Sequence, residues 1–218
     1  MPMDRSASTP MRPVAEQLDA LERAGVLARA HGDRTDVRAA FRALRAEKTG
    51  GLVALHPHWF AASALAPLLS LNAQPGFVVE DMIDVDEFTP VGIEIPNTPL
   101  YLVRQVSRGD DLRNVSPEEA IIRIEASHRR PLTLQEGLSW ALGDPAIIEP
   151  NYCFMTIGSR KVKRVRPSGE TIYDARTPAL WVSSGTGRDG IERRGAPKLG
   201  WCWWGNRHTW LGIASAAR

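Results

Sequence analysis

Lysine and cysteine are both scarce in this chain, and no long apolar run occurs in it. The two cysteines, Cys153 and Cys202, lie far apart and show no paired-ligand spacing, which excludes a disulfide framework or a zinc ribbon and leaves reduced thiols as the expectation. No stretch approaches the roughly 18 uncharged apolar residues of a membrane span, and the opening residues have no apolar segment of signal-peptide length. A cytoplasmic protein without a membrane partner is therefore expected. Net charge is also small, 27 basic against 25 acidic side chains, so bulk charge gives no reason to invoke nucleic acid. Only Lys48, Lys161, Lys163 and Lys198 among the basic residues are lysines, a balance that suggests a G+C-rich coding genome. No phosphate loop, dinucleotide fingerprint or metal quartet is present, and neither a cofactor nor a metal is expected.

At 218 residues, 43% hydrophobic and 24% charged, the chain has enough apolar surface for one good core. Residues 1–12 read as a disordered leader. A helical hairpin over 13–48 follows, with Val14, Leu18 and Leu21 at helical spacing, then Val37, Phe41 and Leu44 after a Thr35 cap. The remainder, 49–218, reads as one α+β domain. Leu52 to Leu55 and Leu100 to Val103 are buried-strand patterns, and Trp59 to Leu71 is helix-like but interrupted by Pro67. Two capping boxes open helices, Ser116 with Glu119 and Thr133 with Glu136. Strand patterns then dominate: Cys153 to Ile157, Val162 to Val165, Thr171 to Tyr173, Leu180 to Val182 and Trp201 to Trp204. The fold class expected is α+β, a helical hairpin followed by a mixed or antiparallel sheet with two or three packed helices. A basic hairpin near 160–176 and a flexible glycine-rich loop near 183–195 read as insertions.

The densest chemistry lies near the carboxyl end, where residues 201–218 hold four of the seven tryptophans. Indoles in such number must pack, and each buried N–H needs an acceptor. Trp201, Trp203, Trp204 and Trp210 are therefore expected to wall a pocket. His208 would act in it as acid or base, Asn206 would polarise a carbonyl, and Arg207, Lys198 and Arg160 would hold an anionic group. A Cys202–His208 thiolate pair is the weaker reading, because strand alternation turns Cys202 away from its neighbouring indoles. His56-Pro57-His58 lacks supporting metal ligands, and the acidic cluster at Glu80, Asp81, Asp84, Asp86 and Glu87 lacks calcium-loop spacing. Five basic residues between Arg160 and Arg166, with Tyr173 and Trp181 nearby, could meet phosphate or an acidic partner, but charged edge strands usually guard against aggregation.

The string Ala196-Pro197-Lys198-Leu199-Gly200-Trp201-Cys202-Trp203, with Gly205-Asn206 and His208-Thr209-Trp210-Leu211-Gly212, resembles an actinobacterial family of unknown function. Arg108-Gly109-Asp110, Pro131-Leu132-Thr133, Gly158-Ser159-Arg160 and Pro178-Ala179-Leu180-Trp181 are similar to it in the same order. The resemblance spans residues 100–218 and implies membership only, with no activity, cofactor or catalytic residue attached. Arg207 stands where the pattern has proline. The expected function is a cofactor-independent small-molecule enzyme or ligand-binding protein, of isomerase, cyclase or lyase type, in specialised biosynthesis. The alternative is an interaction module binding a protein or nucleic-acid partner through the basic hairpin. Oligomeric state is open, a homodimer included.

Overall fold

The computed structural model describes residues 9–218, so most of the expected leader lies outside the described residues. Thr9 and Arg12, which that leader would include, are docked on the body. The Thr9 amide donates to the Val106 carbonyl at 2.9 Å, and Arg12 pairs with Asp144 at 2.9 Å.

The fold is α+β, as the patterning implies, and its centre is one helix. Leu134–Gly143 has all ten residues buried and is capped by the Thr133–Glu136 box. One face of it packs on the strand Leu52–Leu55, which pairs antiparallel with Leu100–Val103. Its neighbour on another side is the helix Val14–Arg23, and Gln17 of that helix satisfies the edge of the strand. The Gln17 amide donates to the Gly51 carbonyl at 2.8 Å and accepts from the Val53 amide at 2.9 Å. Ser139 does the same for Leu55, accepting its N–H at 2.9 Å. Buried backbone groups at strand ends are costly when unpaired, so these polar side chains belong to the core by function rather than by accident.

The remaining helix face lies against a five-stranded mixed sheet. Its order is Leu211–Ile213, Cys153–Met155, Arg176–Val182, Pro197–Trp203 and Phe77–Val78, antiparallel in the middle and parallel at both margins. Gly137 permits the close approach. A side chain there would place its Cβ 2.4 Å from Thr156 Cγ2 and 3.1 Å from Leu180 Cδ1. Strand alternation divides the apolar residues into two cores. Phe154, Leu180 and Leu199 face the central helix, whereas Cys153, Met155, Ala179 and Cys202 face the helix Pro117–Ala126 with its Ala120 and Ile124. That second helix starts at the Ser116–Glu119 capping box with Pro117 in its first turn. Both cysteines are free, buried and in the same cluster.

Three local expectations need correction. The second N-terminal helix, Arg34–Arg45, is capped by Asp33, whose carboxylate accepts from the Thr35 amide at 2.7 Å; Thr35 is already inside the helix. The Trp59 to Leu71 stretch forms only the single turn Ala62–Leu65, a tighter turn Ala66–Leu68 and then extended chain. Pro67 removes the N–H that a continuing helix would use. The 183–195 stretch holds two short helical turns, Gly187–Asp189 and Ile191–Arg193, and Asp189 ties it down through Ser183 and Lys198, each at 2.6 Å. The basic hairpin is a separate two-stranded ribbon, Val162–Val165 against Thr171–Tyr173, with every residue of its first strand exposed. Among the described residues no helix is long and apolar enough to cross a membrane.

Candidate functional site

Strand geometry disperses the tryptophans that the sequence groups together. Trp201 and Trp203 share one face of Pro197–Trp203, with ring centres 4.6 Å apart, and Trp201 Nε1 donates to Asp81 at 3.1 Å. Trp203 is 47% exposed. Trp204 leaves the strand at a turn and crosses to the other side, while Trp210 packs edge-on against Trp181 at 6.0 Å. The single indole-walled pocket expected from sequence is therefore replaced by separate locations. Trp181 and Trp210 line a cavity of roughly 410 Å³ with Cys153 and the segment around Ser183.

The polar candidates separate as well. The Asn206 backbone N–H donates to the Trp203 carbonyl at 3.0 Å in a turn, and the residue is exposed. Arg207 pairs with Glu119 at the surface. Lys198 is held by Asp189 at 2.6 Å and sits 4.6 Å from the Trp181 ring centre. His208 packs on Trp210 at 5.5 Å, and its Nε2 is buried without a hydrogen-bond partner. Burial holds its imidazole below the ordinary histidine range. Neither His208 nor Asn206 lines the cavity that Trp181 and Trp210 share, nor the larger one described next.

Two of the expected residues do meet. Arg160 and Trp204 line a cavity of roughly 810 Å³, and the guanidinium carbon lies 3.8 Å from the Trp204 ring centre and 5.4 Å from that of Tyr173. Local structure fixes this arginine closely. Ser159–Arg160 pairs antiparallel with Thr89–Pro90, and Ser159 Oγ accepts the Leu134 amide at 2.9 Å. Gly158 lets the chain pass against Leu132, since a Cβ there would fall 2.6 Å from the Leu132 carbonyl oxygen. The Gly158-Ser159-Arg160 string thus packs a tight crossing, a strand-to-helix link and a cation into three positions.

Arg160 is 9% exposed. Its Nη2 donates to the Asp174 carbonyl at 2.7 Å, and its Nε is buried with no acceptor. Among the described residues no carboxylate lies within 4.0 Å of it. The nearby Asp174 carboxylate is engaged by Arg176 at 2.9 Å, and Arg176 also reaches Asp84 at 2.5 Å. Burial pulls the Arg160 guanidinium below the ordinary arginine range. A desolvated cation with no carboxylate in direct contact is expensive, and stacking on two rings with the more distant Asp174 charge offsets only part of that cost.

The other walls include the helix Pro117–Ala126, through Ile121 and Glu125, and the Val91-Gly92-Ile93-Glu94 segment. The strand Arg129–Pro131 supplies Arg129 and Arg130. Arg130 is neutralised by Glu136, a completely buried carboxylate that it grips through two nitrogens at 2.7 and 2.8 Å. Glu136 also accepts from the Thr133 amide at 2.8 Å and the Tyr101 hydroxyl at 3.1 Å. Arg129 is anchored by Ser215 and the Gln105 carbonyl. The sequence pattern does not single out Arg129, Arg130, Glu94 or Glu125, and nothing local marks the two glutamates. The Arg129-Arg130-Pro131 doublet between two capped helices was the one usable signal.

The fold and this cavity define a class, an α+β protein whose mixed five-stranded sheet carries an arginine-lined cavity beside a buried, carboxylate-free guanidinium. The chain belongs to the family of unknown function designated DUF5701, whose model matches residues 15–218. A search of the curated proteins and one of the solved structures each found no match.

Proposed function

We propose that this protein binds a small anionic molecule in the cavity beside Trp204, with Arg160 as the anchor for its negative group. The observation that carries the proposal is the Arg160 guanidinium, buried among Trp204 and Tyr173 with its Nε–H unsatisfied and, among the described residues, no carboxylate within 4.0 Å. A carboxylate or phosphate oxygen would supply what that group lacks, a charge-assisted hydrogen bond in a low-dielectric setting. Ile93, Ile121 and Ile157 give the same cavity apolar wall for the body of the ligand, the mixture common in small-molecule sites.

Glu94 and Glu125, both exposed, line the same open cavity as the arginines, so a proton acceptor and an anion anchor border one space. That pairing supports a cofactor-independent isomerase, cyclase or lyase in specialised biosynthesis, acting in the cytoplasm of an actinobacterium, over a passive carrier. Relative to the sequence-based roles, Arg160 and Trp204 stay in the proposal, and His208 and Asn206 leave it.

The test is titration calorimetry with phenyl phosphate and benzoate on the parent protein, Arg160→Met and Trp204→Leu. At least one anion should bind the parent and lose roughly tenfold or more in affinity with Arg160→Met, the loss of one charged hydrogen bond. Melting temperature should hold or rise, because the change removes an orphaned cation. Equal affinity in parent and variant would refute the proposal.

A second reading has one observation in its favour. The ribbon Val162–Val165 with Thr171–Tyr173 pairs only with itself, and Val162 and Val165 are 47% and 60% exposed. A protein or nucleic-acid partner recognised there would bind less tightly as salt rises and lose its site when Lys163 and Arg164 are neutralised.

A further inference from the structure

The Arg160 cavity does not end at its own walls. A neighbouring cavity of roughly 470 Å³ shares Glu94, Arg130 and Arg218 with it and continues past Tyr101 to Arg104 and Gln105. The two therefore adjoin at these three side chains, beside the strand Arg129–Pro131.

Charge is unevenly placed along the adjoining cavities. In the middle, Arg130 is cancelled by Glu136, and Glu94 contributes a further negative charge. Among the described residues, guanidinium groups with no carboxylate contact stand at both ends, and Arg218 adds a third where the cavities meet; Glu47 acts on Arg104 only at longer range. Arg160 stands at one. At the other, Arg104 makes a single 3.3 Å hydrogen bond to the Thr49 hydroxyl, and among the described residues no carboxylate lies within 4.0 Å of it. An exposed arginine alone selects nothing, but this one is held by backbone that a loose surface residue would not have. Gln105 takes a left-handed conformation, φ 50°, which costs a non-glycine residue energy. The turn is clamped by Arg129, whose Nη2 donates to the Gln105 carbonyl at 2.7 Å, and by the Ala217 amide, which donates to the Arg104 carbonyl at 3.1 Å. Arg129 in turn faces the first cavity, so the same side chain forms part of one chamber and fixes the far end of the other.

We infer that the ligand is an elongated molecule with an anionic group at each end, one bound by Arg160 and the other by Arg104, its midsection passing Arg130 and Glu94. This rests on the proposed anion site at Arg160 and adds the second anchor and the length. A midsection carrying hydroxyl or amide groups suits the middle, where the paired Arg130, Arg218 and Glu94 offer both donors and an acceptor.

The experiment compares alkyl monophosphates with α,ω-alkanediol bisphosphates of graded chain length, and monocarboxylates with the matching dicarboxylates, by titration calorimetry. The proteins are the parent, Arg160→Met and Arg104→Met. In whichever series binds, one length of the doubly charged compound should bind roughly tenfold or more tighter than its singly charged match. Arg104→Met should erase that advantage while leaving the singly charged compound within about twofold, and Arg160→Met should weaken both. The phosphate and carboxylate arms identify which anion the ends prefer. If single anions bind through Arg160 but no length of double anion gains, or the gain survives Arg104→Met, the second anchor is refuted and the Arg160 site stands. If nothing binds in an Arg160-dependent way, both fall.

Discussion

Glutamine in place of Glu136 changes one atom type and should be among the most damaging conservative substitutions available. Glu136 is fully buried, holds Arg130 through two hydrogen bonds, accepts from Tyr101 and Thr133, and caps the helix that fills the centre of the molecule. Glutamine keeps the shape and retains an oxygen for the Thr133 amide, but it leaves the Arg130 guanidinium, 16% exposed at its side chain, without its counter-charge. Removing one member of a buried pair costs about 3–5 kcal/mol, and the retained acceptor places this case near about 3. For a chain of this size, about 2–4 °C per kcal/mol gives a melting temperature lower by roughly 6–12 °C. Differential scanning calorimetry reads it directly. The mechanism makes a sharper demand through the double variant Arg130→Met with Glu136→Gln. The charge that was orphaned is then gone, and stability should recover to within about 1.5 kcal/mol of the parent. A double variant as unstable as Glu136→Gln, or a single variant that melts with the parent, would refute the reasoning.

Other outcomes follow from features already described. Hydrogen bonds from Arg176, followed by those from Lys161, hold the Asp84 carboxyl at about 2 against the desolvation that opposes them. Its folded value is depressed, so its contribution is complete above the ordinary aspartate range near 4 and is lost as pH falls through about 2. Thermal melts of parent and Asp84→Asn should converge over that interval. The half-buried His208 imidazole also lies below its ordinary value, so its contribution is present above about 6.5 and fades on acidification. A His208→Phe variant should show a flatter stability profile from pH 7 to pH 5, and an unchanged slope would count against that burial. Burial pushes the Cys153 and Cys202 thiols up to about 11 and about 12. Ellman's reagent near neutral pH should therefore label them far more slowly in the native protein than in urea. Gly137→Ala must displace Thr156 and crowds Phe154 and Leu180, and should cost about 1–3 kcal/mol by chemical denaturation.

Much of the framework was readable along the chain because it rests on short-range chemistry. The Ser116 and Thr133 capping boxes, the strands at Leu52 and Leu100 and the Val162 to Tyr173 ribbon are each determined by neighbours within a few residues. The candidate site was far less legible. Its walls come from residues 91–94, 121–131, 157–160, 173, 204 and 218, which only the crossing of strands and helices brings together. Crowding of indoles at 201–210 drew attention to the right segment, but alternation along Pro197–Trp203 and the turn after it send the rings to different faces, and only Trp204 joins Arg160. His208 was persuasive by residue type alone. Its position against Trp210 is settled by packing that no spacing rule describes.

The clasp between Arg160 Nη2 and the Asp174 carbonyl closes the base of the exposed ribbon, because those two residues flank its outgoing and returning strands. One guanidinium thereby belongs to an inner chamber and to the shoulder of a projecting arm. A macromolecule that seized the arm would tug on the chamber's cation, and occupancy of the chamber would stiffen or slacken the arm by the same free energy, since such linkage runs equally in both directions.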